Sequence, residues 1–571
     1  MRPFRRPLRA LLPAMLLVAP ALAAPGCVAP TTARGIALDD PLGLVMDVAR
    51  TGHPLRVYVL PASSYVCNDT IGTISPDIQD ALPGMVPDAV VDISADVSGD
   101  MATAMAVIPV GDWTVLVRGK GTDPVSGRPD RVIATGCTAV GGLGANETRA
   151  VRITLLPQHD MGMCNDGVLS PDEQCDPPST PATQCNATCH TTPIPVNVHV
   201  TNGAQTAARA ASSTGQRIAI TFDSAGAAND IGIRMLDANG GMVGTAGMSI
   251  AQDETIDTLA MPLPGPQNAG RPAMASDGHF AIALANLFPA AGDDSDVLVQ
   301  FFSADRAPMA TFPASGTTAG IQTAPDAAYS GSGALLVVYQ DSTSATGIAG
   351  ELFAPGSMTA AMRGFAIGGA GTTGATHPVV AGLATGFVVA FVSGTDVHFQ
   401  RFAANGTATD ATAIAVLDAA DAADTQDQPA IAANADGSFL IAWTEHSVAN
   451  GDGMGTSIRA RAFGTTGTPA SAAITLPSTD ASKAGDQRAP SVAAADGRYL
   501  VAWASVGSVH ARVVSGMGAP LPNREQPQST NDFVVAAAGN APSATAMGTT
   551  PASWLVAYDD GDSVFARRYP R

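Results

Sequence analysis

The chain has 571 residues, with 50 acidic against 30 basic side chains and a formal charge of −20, for a pI near 4.6. Nucleic acid is therefore not expected as a partner, because phosphate binding draws on clustered basic residues. Charged residues are only 14% of the chain, against roughly 25% in an average soluble protein, which argues against long solvated helices. The 59 glycines, 42 prolines and 46% hydrophobic content point to turns, strands and buried cores.

Residues 1–26 carry Arg2, Arg5, Arg6 and Arg9, an apolar run from Ala10 to Ala24, and then small residues. This is the pattern of a bacterial signal peptide, too short for a stable membrane span. Cleavage after Ala21-Leu22-Ala23 would release the protein. The run Ala24-Pro25-Gly26-Cys27 resembles a lipobox, which implies cleavage before Cys27 and lipidation of its thiol. Setting Cys27 aside leaves six of the seven cysteines, enough to pair completely in an oxidising compartment. Residues 27–35 would then be a linker behind a lipid anchor.

Residues 36–157 alternate apolar and polar positions in short bursts, as in Leu55-Arg56-Val57-Tyr58-Val59-Leu60 and Asp112-Trp113-Thr114-Val115-Leu116-Val117. Bounded by Gly, Pro and Asp clusters, these read as an antiparallel β-sandwich. The stretch Ile108 to Val115, followed by Thr135-Gly136-Cys137, resembles Ig-like or prealbumin-like modules of bacterial surface proteins. Cys67 and Cys137 are expected to form a disulfide across this unit.

Residues 158–192 hold Cys164, Cys175, Cys185 and Cys189. The run from Cys164 through Asn165-Asp166-Gly167 to Glu173-Gln174-Cys175-Asp176, with the later pair Cys185 and Cys189, resembles the Cys-rich repeat of myxobacterial surface proteins. It departs where Pro177-Pro178 follows Asp176. Spacings of 11, 10 and 4 lack the paired knuckles of structural zinc, so two disulfides are expected, in any of three connectivities. Asp166, Asp172, Glu173 and Asp176 could supply oxygens to Ca²⁺, but the loop fails the EF-hand spacing and solvated turn residues are the plainer reading.

Residues 193–571 repeat. A proline, small residues, a turn and an aliphatic burst recur at Pro272, Pro325, Pro378, Pro429, Pro490 and Pro542, with a degenerate copy from Ala208 to Phe222. A second strand follows each burst, as in Val397-His398-Phe399-Gln400-Arg401-Phe402, and a short fourth strand follows most. Four strands per unit of about 50 residues, seven times over, predict a seven-bladed β-propeller. The last copy lacks an outer strand, which Val196-Asn197-Val198-His199-Val200 could supply to close the ring. The repeats resemble β-strand arrays of bacterial secreted proteins. The whole chain thus reads as all-β: an Ig-like or prealbumin-like sandwich, a small disulfide-rich spacer and the propeller.

Searches for chemistry find little. Gly369-Ala370-Gly371-Thr372-Thr373-Gly374 fits G-x-G-x-x-G, but Pro378 stands where the phosphate-binding helix should run. No metalloprotease, serine-hydrolase or Walker motif occurs. His279, His377, His398, His446 and His510 fall in different repeats at unrelated positions. Loops on one propeller face are acidic, and Asp293, Asp294, Asp296, Asp452, Asp559, Asp560 and Asp562 form a candidate binding face for cations or cationic ligands. The alternative is that Asp is simply a turn residue. Third-strand arginines, Arg234, Arg401, Arg461, Arg512 and Arg567, suggest blade-to-blade ion pairs.

These features predict a non-enzymatic envelope lipoprotein, monomeric and anchored to the outer membrane through lipidated Cys27, on the periplasmic or surface face. Its propeller would bind a glycan, protein or cation, with no cofactor beyond a possible Ca²⁺ and no assignable metal site. Two alternatives stand beside it: a secreted propeller hydrolase or lyase acting on polysaccharide, which needs two carboxylates converging near the axis, and a purely structural envelope component.

Overall fold

The computed structural model describes residues 31–39, 55–69, 73–75, 78, 91–95, 103–109, 111–121, 131–143, 150–157 and 185. It further describes 191–570 apart from the short stretches 214–216, 227–228, 238–239, 242–252, 257–262, 264, 289–293, 305–306, 315–319, 418–424, 523–528 and 548–552. The expected signal peptide, Cys27, Cys164, Cys175 and Cys189 lie outside the described residues.

The first unit consists of two sheets. One has three strands in the order Thr103–Pro109, Thr31–Asp39, Ala150–Thr154, the last pair parallel. The other has five, in the order Leu156–Pro157, Arg131–Leu143, Gly111–Gly121, Leu55–Pro61, Val91–Ala95. Gly136 of the larger sheet packs so closely on Ile153 and Thr154 of the smaller that a Cβ there would collide with both, so the two sheets form a sandwich. The first strand opens at Thr31, five residues ahead of the expected start at 36.

Alternation in the central strands serves two buried surfaces rather than one buried and one wet. Val57, Val59, Val115 and Val117 are fully buried on one face, while Tyr58, Leu60, Leu116 and Cys137 pack on the other against Ile74 and Ile78. The hairpin Val66–Asn68 and Thr73–Ser75 makes that second cover, and the Cys67–Cys137 disulfide, with Cα atoms 5.8 Å apart, fastens it as expected. Cys185 is also disulfide-bonded.

The second unit is a seven-bladed β-propeller. Blade 1 is Gln205–Ser212, Arg217–Ser224, Asp230–Asp237 and Glu254–Thr255. Blades 2 to 6 begin with the inner strands Gln267–Met274, Gln322–Tyr329, Thr376–Leu383, Gln426–Ala433 and Gln487–Ala495, each followed outward by its partners in chain order. Blade 7 is Asn540–Met547, Ser553–Asp559 and Val564–Pro570, and its outer strand is Ile194–Pro195 from the start of the unit. Each inner strand contacts the next around the whole ring, blade 7 against blade 1 included. The ring therefore closes by strand exchange as predicted, two residues earlier in the chain than expected.

A four-stranded blade is apolar on both faces and gains stability only by stacking on neighbours. The apolar clusters obey this: each sits at one blade-to-blade boundary. Val389, Phe391 and Leu336 join blades 3 and 4, for example, and Trp443, Phe399 and Val388 join blades 4 and 5. Ile194, Val196, Ile220, Leu555 and Val564 form the boundary between blades 7 and 1.

The aromatic that ends the burst in blades 4 to 7 lies across from a fixed third-strand position. Phe391 stacks on His398 and Trp503 on His510, Tyr558 meets Phe565, and the guanidinium of Arg459 covers Trp443. His398 and His510 thus occupy one repeat position, correcting the reading that the histidines are unrelated. The third-strand arginines take two kinds of partner. Arg461, Arg512 and Arg567 reach across to the preceding blade, where they donate to the carbonyls of Val416, Leu476 and Val535 at 2.8, 2.8 and 2.9 Å. Arg234 and Arg401 do find carboxylates, Asp253 and Asp410, within their own blades.

Candidate functional site at the axial mouth

The seven inner strands enclose an axial cavity of about 730 Å³. Each carries the same irregularity one or two residues after its start. Ala207, Ala269, Ala324, His377, Gln428, Ala489 and Ala541 all adopt left-handed backbone, with φ between 41° and 55°, and the register with the second strand slips at that point in every blade. Left-handed backbone is uncommon outside glycine, and a bulge re-aims the side chains that follow it. The repeat prolines 325, 378, 429, 490 and 542 each sit directly after the left-handed residue. There an extra residue leaves the ladder, so proline's missing N–H costs little. In blade 2 the equivalent position is Gly270; Pro272 lies two residues further on.

The bulges are clasped by side chains of adjoining blades. Asp559 of blade 7 accepts from Ala207 N–H at 3.0 Å, Asp223 of blade 1 from Ala269 N–H at 2.9 Å, and Asp326 of blade 3 from Val380 N–H at 2.8 Å. Gln340 and Gln428 do the same for His377 and Ala489. Two residues beyond the left-handed position the seven blades present Arg209, Arg271, Asp326, Val379, Ala430, Ser491 and Ser543 to the cavity. One side of the mouth is thus charged and the other apolar or hydroxylic.

The charged side is electrostatically coupled. Burial, reinforced by Arg271, pushes the Arg209 guanidinium down to about 9 against the pull of Asp223, Asp326 and Asp559. Burial raises all three carboxyls above the ordinary range. Arg209 and the Ala269 N–H oppose it at Asp223, Arg271 and the Val380 N–H at Asp326, and the N–H groups of Ala207 and Gly561 at Asp559. The buried Nε of Arg271 has no hydrogen-bond partner. Carboxyls poised toward the neutral form beside arginines can hold or release a proton at a bound polar ligand.

Sequence reasoning named Asp559 only as a loop acid and missed Arg209, Arg271 and Asp326. The signal was the inner-strand register. Gln205, Gln267, Gln322, Gln426 and Gln487 each open a strand, all buried, and the mouth residue is always four positions on. Of the seven candidate acids, Asp559 is buried at the blade 7–1 seam, Asp296 is buried, and Asp294 opens the strand Asp294–Phe302. Asp560 and Asp562 are exposed, with Asp560 accepting from the N–H groups of Asp562 and Ser563 as a turn acid. Asp452 accepts from Met454 N–H in a loop of blade 5; Asp293 lies outside the described residues. The Gly369–Gly374 run is a loop that leads into the inner strand Thr376–Leu383, with no helix after it.

No known protein family and no curated protein matches the sequence. Among solved structures, the α-L-arabinanase of Penicillium chrysogenum is similar at 8% identity and TM-score 0.38, over 66% of this chain and 98% of that one. The α-L-arabinofuranosidase of Fusarium graminearum is similar at 12% identity and TM-score 0.37, over 53% and 92%. The Dos1 propeller follows at 10% identity and TM-score 0.33, over 62% and 76%. Enzymes stand among these, and the expectation that the chain is not an enzyme is withdrawn on that finding; the likenesses themselves bear on fold alone and assign no reaction.

Proposed function

We propose that the protein is a hydrolase acting on polysaccharide at the axial mouth. The observation that supports this is the gathering of Asp223, Asp326 and Asp559 around Arg209 from three different blades, each carboxyl shifted by burial. Glycoside hydrolysis needs one carboxyl that is protonated and one that is ionised. Asp326 is the proton donor in this reading. Asp223, held beside Arg209, is the ionised partner, while Arg271 and Arg209 bind sugar hydroxyls and the charge that develops on the departing oxygen. The apolar rim at Val379 and Ala430 suits the face of a sugar ring. The disulfides support an oxidising compartment outside the cytoplasm, and the lipid anchor at Cys27 or a secreted form completes the reading.

The test is incubation of the purified chain with a panel of envelope and environmental polysaccharides, with and without Ca²⁺, scoring new reducing ends. Fragments are expected from at least one polymer. Asp326→Asn and Asp223→Asn should each slow their release about 100-fold or more with an unchanged thermal transition. Retention of polymer without fragments, or full activity in both variants, overturns the proposal.

A further inference from the structure

Blade 6 holds a second constellation, away from the axial mouth. Ser508 opens the strand Ser508–Ser515 directly after the two-residue turn Val506-Gly507, whose φ angles of 25° and 79° bring the strand back on itself. Strand periodicity puts residues 508 and 510 on one face, and there the Ser508 Oγ lies 3.1 Å from His510 Nε2. The other ring nitrogen, Nδ1, lies 3.1 Å from Asp532 Oδ2. His510 is 2% exposed and stacked on Trp503, whereas Ser508 is half-buried next to the exposed Val506.

Asp532 is built to stay ionised and still. Its carboxylate accepts from Ser478 N and Oγ at 2.8 and 2.6 Å, from Thr479 N at 3.0 Å and Oγ1 at 3.2 Å, and from Ser482 Oγ at 2.9 Å. Burial works against the charge, but the hydrogen bonds from His510, Ser478 and Ser482 outweigh it and hold the carboxyl well below the usual carboxylate range. An anion at Oδ2 keeps the proton on Nδ1 and leaves Nε2 as an acceptor turned toward the serine hydroxyl. That hydroxyl has one proton and two acceptors in reach, Nε2 and the Ser505 carbonyl at 2.7 Å.

We propose that Ser508, His510 and Asp532 form a nucleophilic-serine site that hydrolyses small carboxylic esters. A buried carboxylate orienting an imidazole that faces a hydroxyl is the arrangement that activates serine, and it is recognised by geometry whatever the fold. Ser508 Oγ attacks the acyl carbon while its proton passes to His510 Nε2. The imidazolium, stabilised by Asp532, returns that proton to the departing alkoxide, which leaves as the alcohol. Water then attacks the acyl-serine, gives a proton to Nε2, and the carboxylic acid leaves as Oγ recovers its proton. A seat beside the 70%-exposed Val506 suits a short acyl chain.

The experiment treats the full chain with a fluorophosphonate, which serine displaces fluoride from, and locates the adduct by peptide mass. A single adduct on Ser508 is expected, together with p-nitrophenyl acetate hydrolysis. Ser508→Ala should abolish both with an unchanged thermal transition. His510→Asn should slow labelling at least 100-fold; should that variant unfold, the labelling rate of Ser508 in the native chain against that of free N-acetylserine amide supplies the second readout and must exceed it at least 100-fold. No adduct on Ser508, or ester hydrolysis that survives in Ser508→Ala, overturns the proposal, because a merely structural His510 would leave the serine as inert as any other.

Discussion

At the scale of single residues, charge burial is the dominant motif, and Glu351 shows its consequence most simply. Its side chain is fully buried in blade 3, where Oε1 accepts from Arg363 Nε and Oε2 from Gly364 N–H, both at 3.0 Å. Burial outweighs these partners and pushes the carboxyl up from 4.5 to about 7. Between those values the folded state holds a proton that the unfolded chain has lost. Stability contributed by Glu351 is therefore full below about pH 4.5 and falls as pH rises to about 7. Glu351→Gln should remove that portion of the slope, so the difference in urea midpoint between variant and native chain should grow from pH 4.5 to 7 and then level off. A constant difference across that range would contradict the assignment.

At the scale of strands, the start of the propeller unit completes blade 7 from outside. Ile194–Pro195 pairs with the strand Val564–Pro570, Val196 N–H donates to the Val564 carbonyl at 2.9 Å, and Asn197 Oδ1 accepts from Val564 N–H at 2.7 Å. Asn197→Leu keeps the γ-branched shape and removes the acceptor, which strands a buried N–H and should cost about 1–3 kcal/mol, read from the denaturant midpoint of the propeller. An unchanged midpoint would mean that water or a shifted strand satisfies Val564. The inner-strand bulges tell a related story. The left-handed Ala207, Ala269, His377 and Ala489 are tolerated because a side chain of the preceding blade holds each N–H, so sequence propensity alone could not announce them.

At the scale of the whole molecule, the chain has two β units that fold by different means. The sandwich is small and leans on a covalent staple: Cys67–Cys137 closes 70 residues, worth about 4 kcal/mol in the chain-entropy account. Replacing both cysteines with alanine should lower the sandwich transition by roughly that amount while leaving the propeller transition in place, as followed by calorimetry. A common shift of both would show that the units unfold together. The propeller needs no staple, because every blade is covered on both sides and the ring has no exposed beginning.

Much of this was legible in the residues. Period-two runs, four strands per repeat and a missing outer strand at the end of the chain are local patterns, and local patterns dictate strands, blade number and the need for closure. The Cys67–Cys137 pair followed from the place of these two cysteines at separated strand ends of the first segment. What tertiary structure alone decided is which distant side chains meet. Asp223, Asp326, Asp559, Arg209 and Arg271 lie up to several hundred residues apart and converge because a ring brings equivalent positions of its inner strands, and the adjoining ends of its second strands, to one axis. Ser508 and His510 are neighbours in any strand, but Asp532 reaches them only when the segment Phe533–Ala536 returns to pair with Ser508–Ser515. Sequence determines strands through nearest neighbours; the sites depend on burial and field, which exist only once the ring has closed.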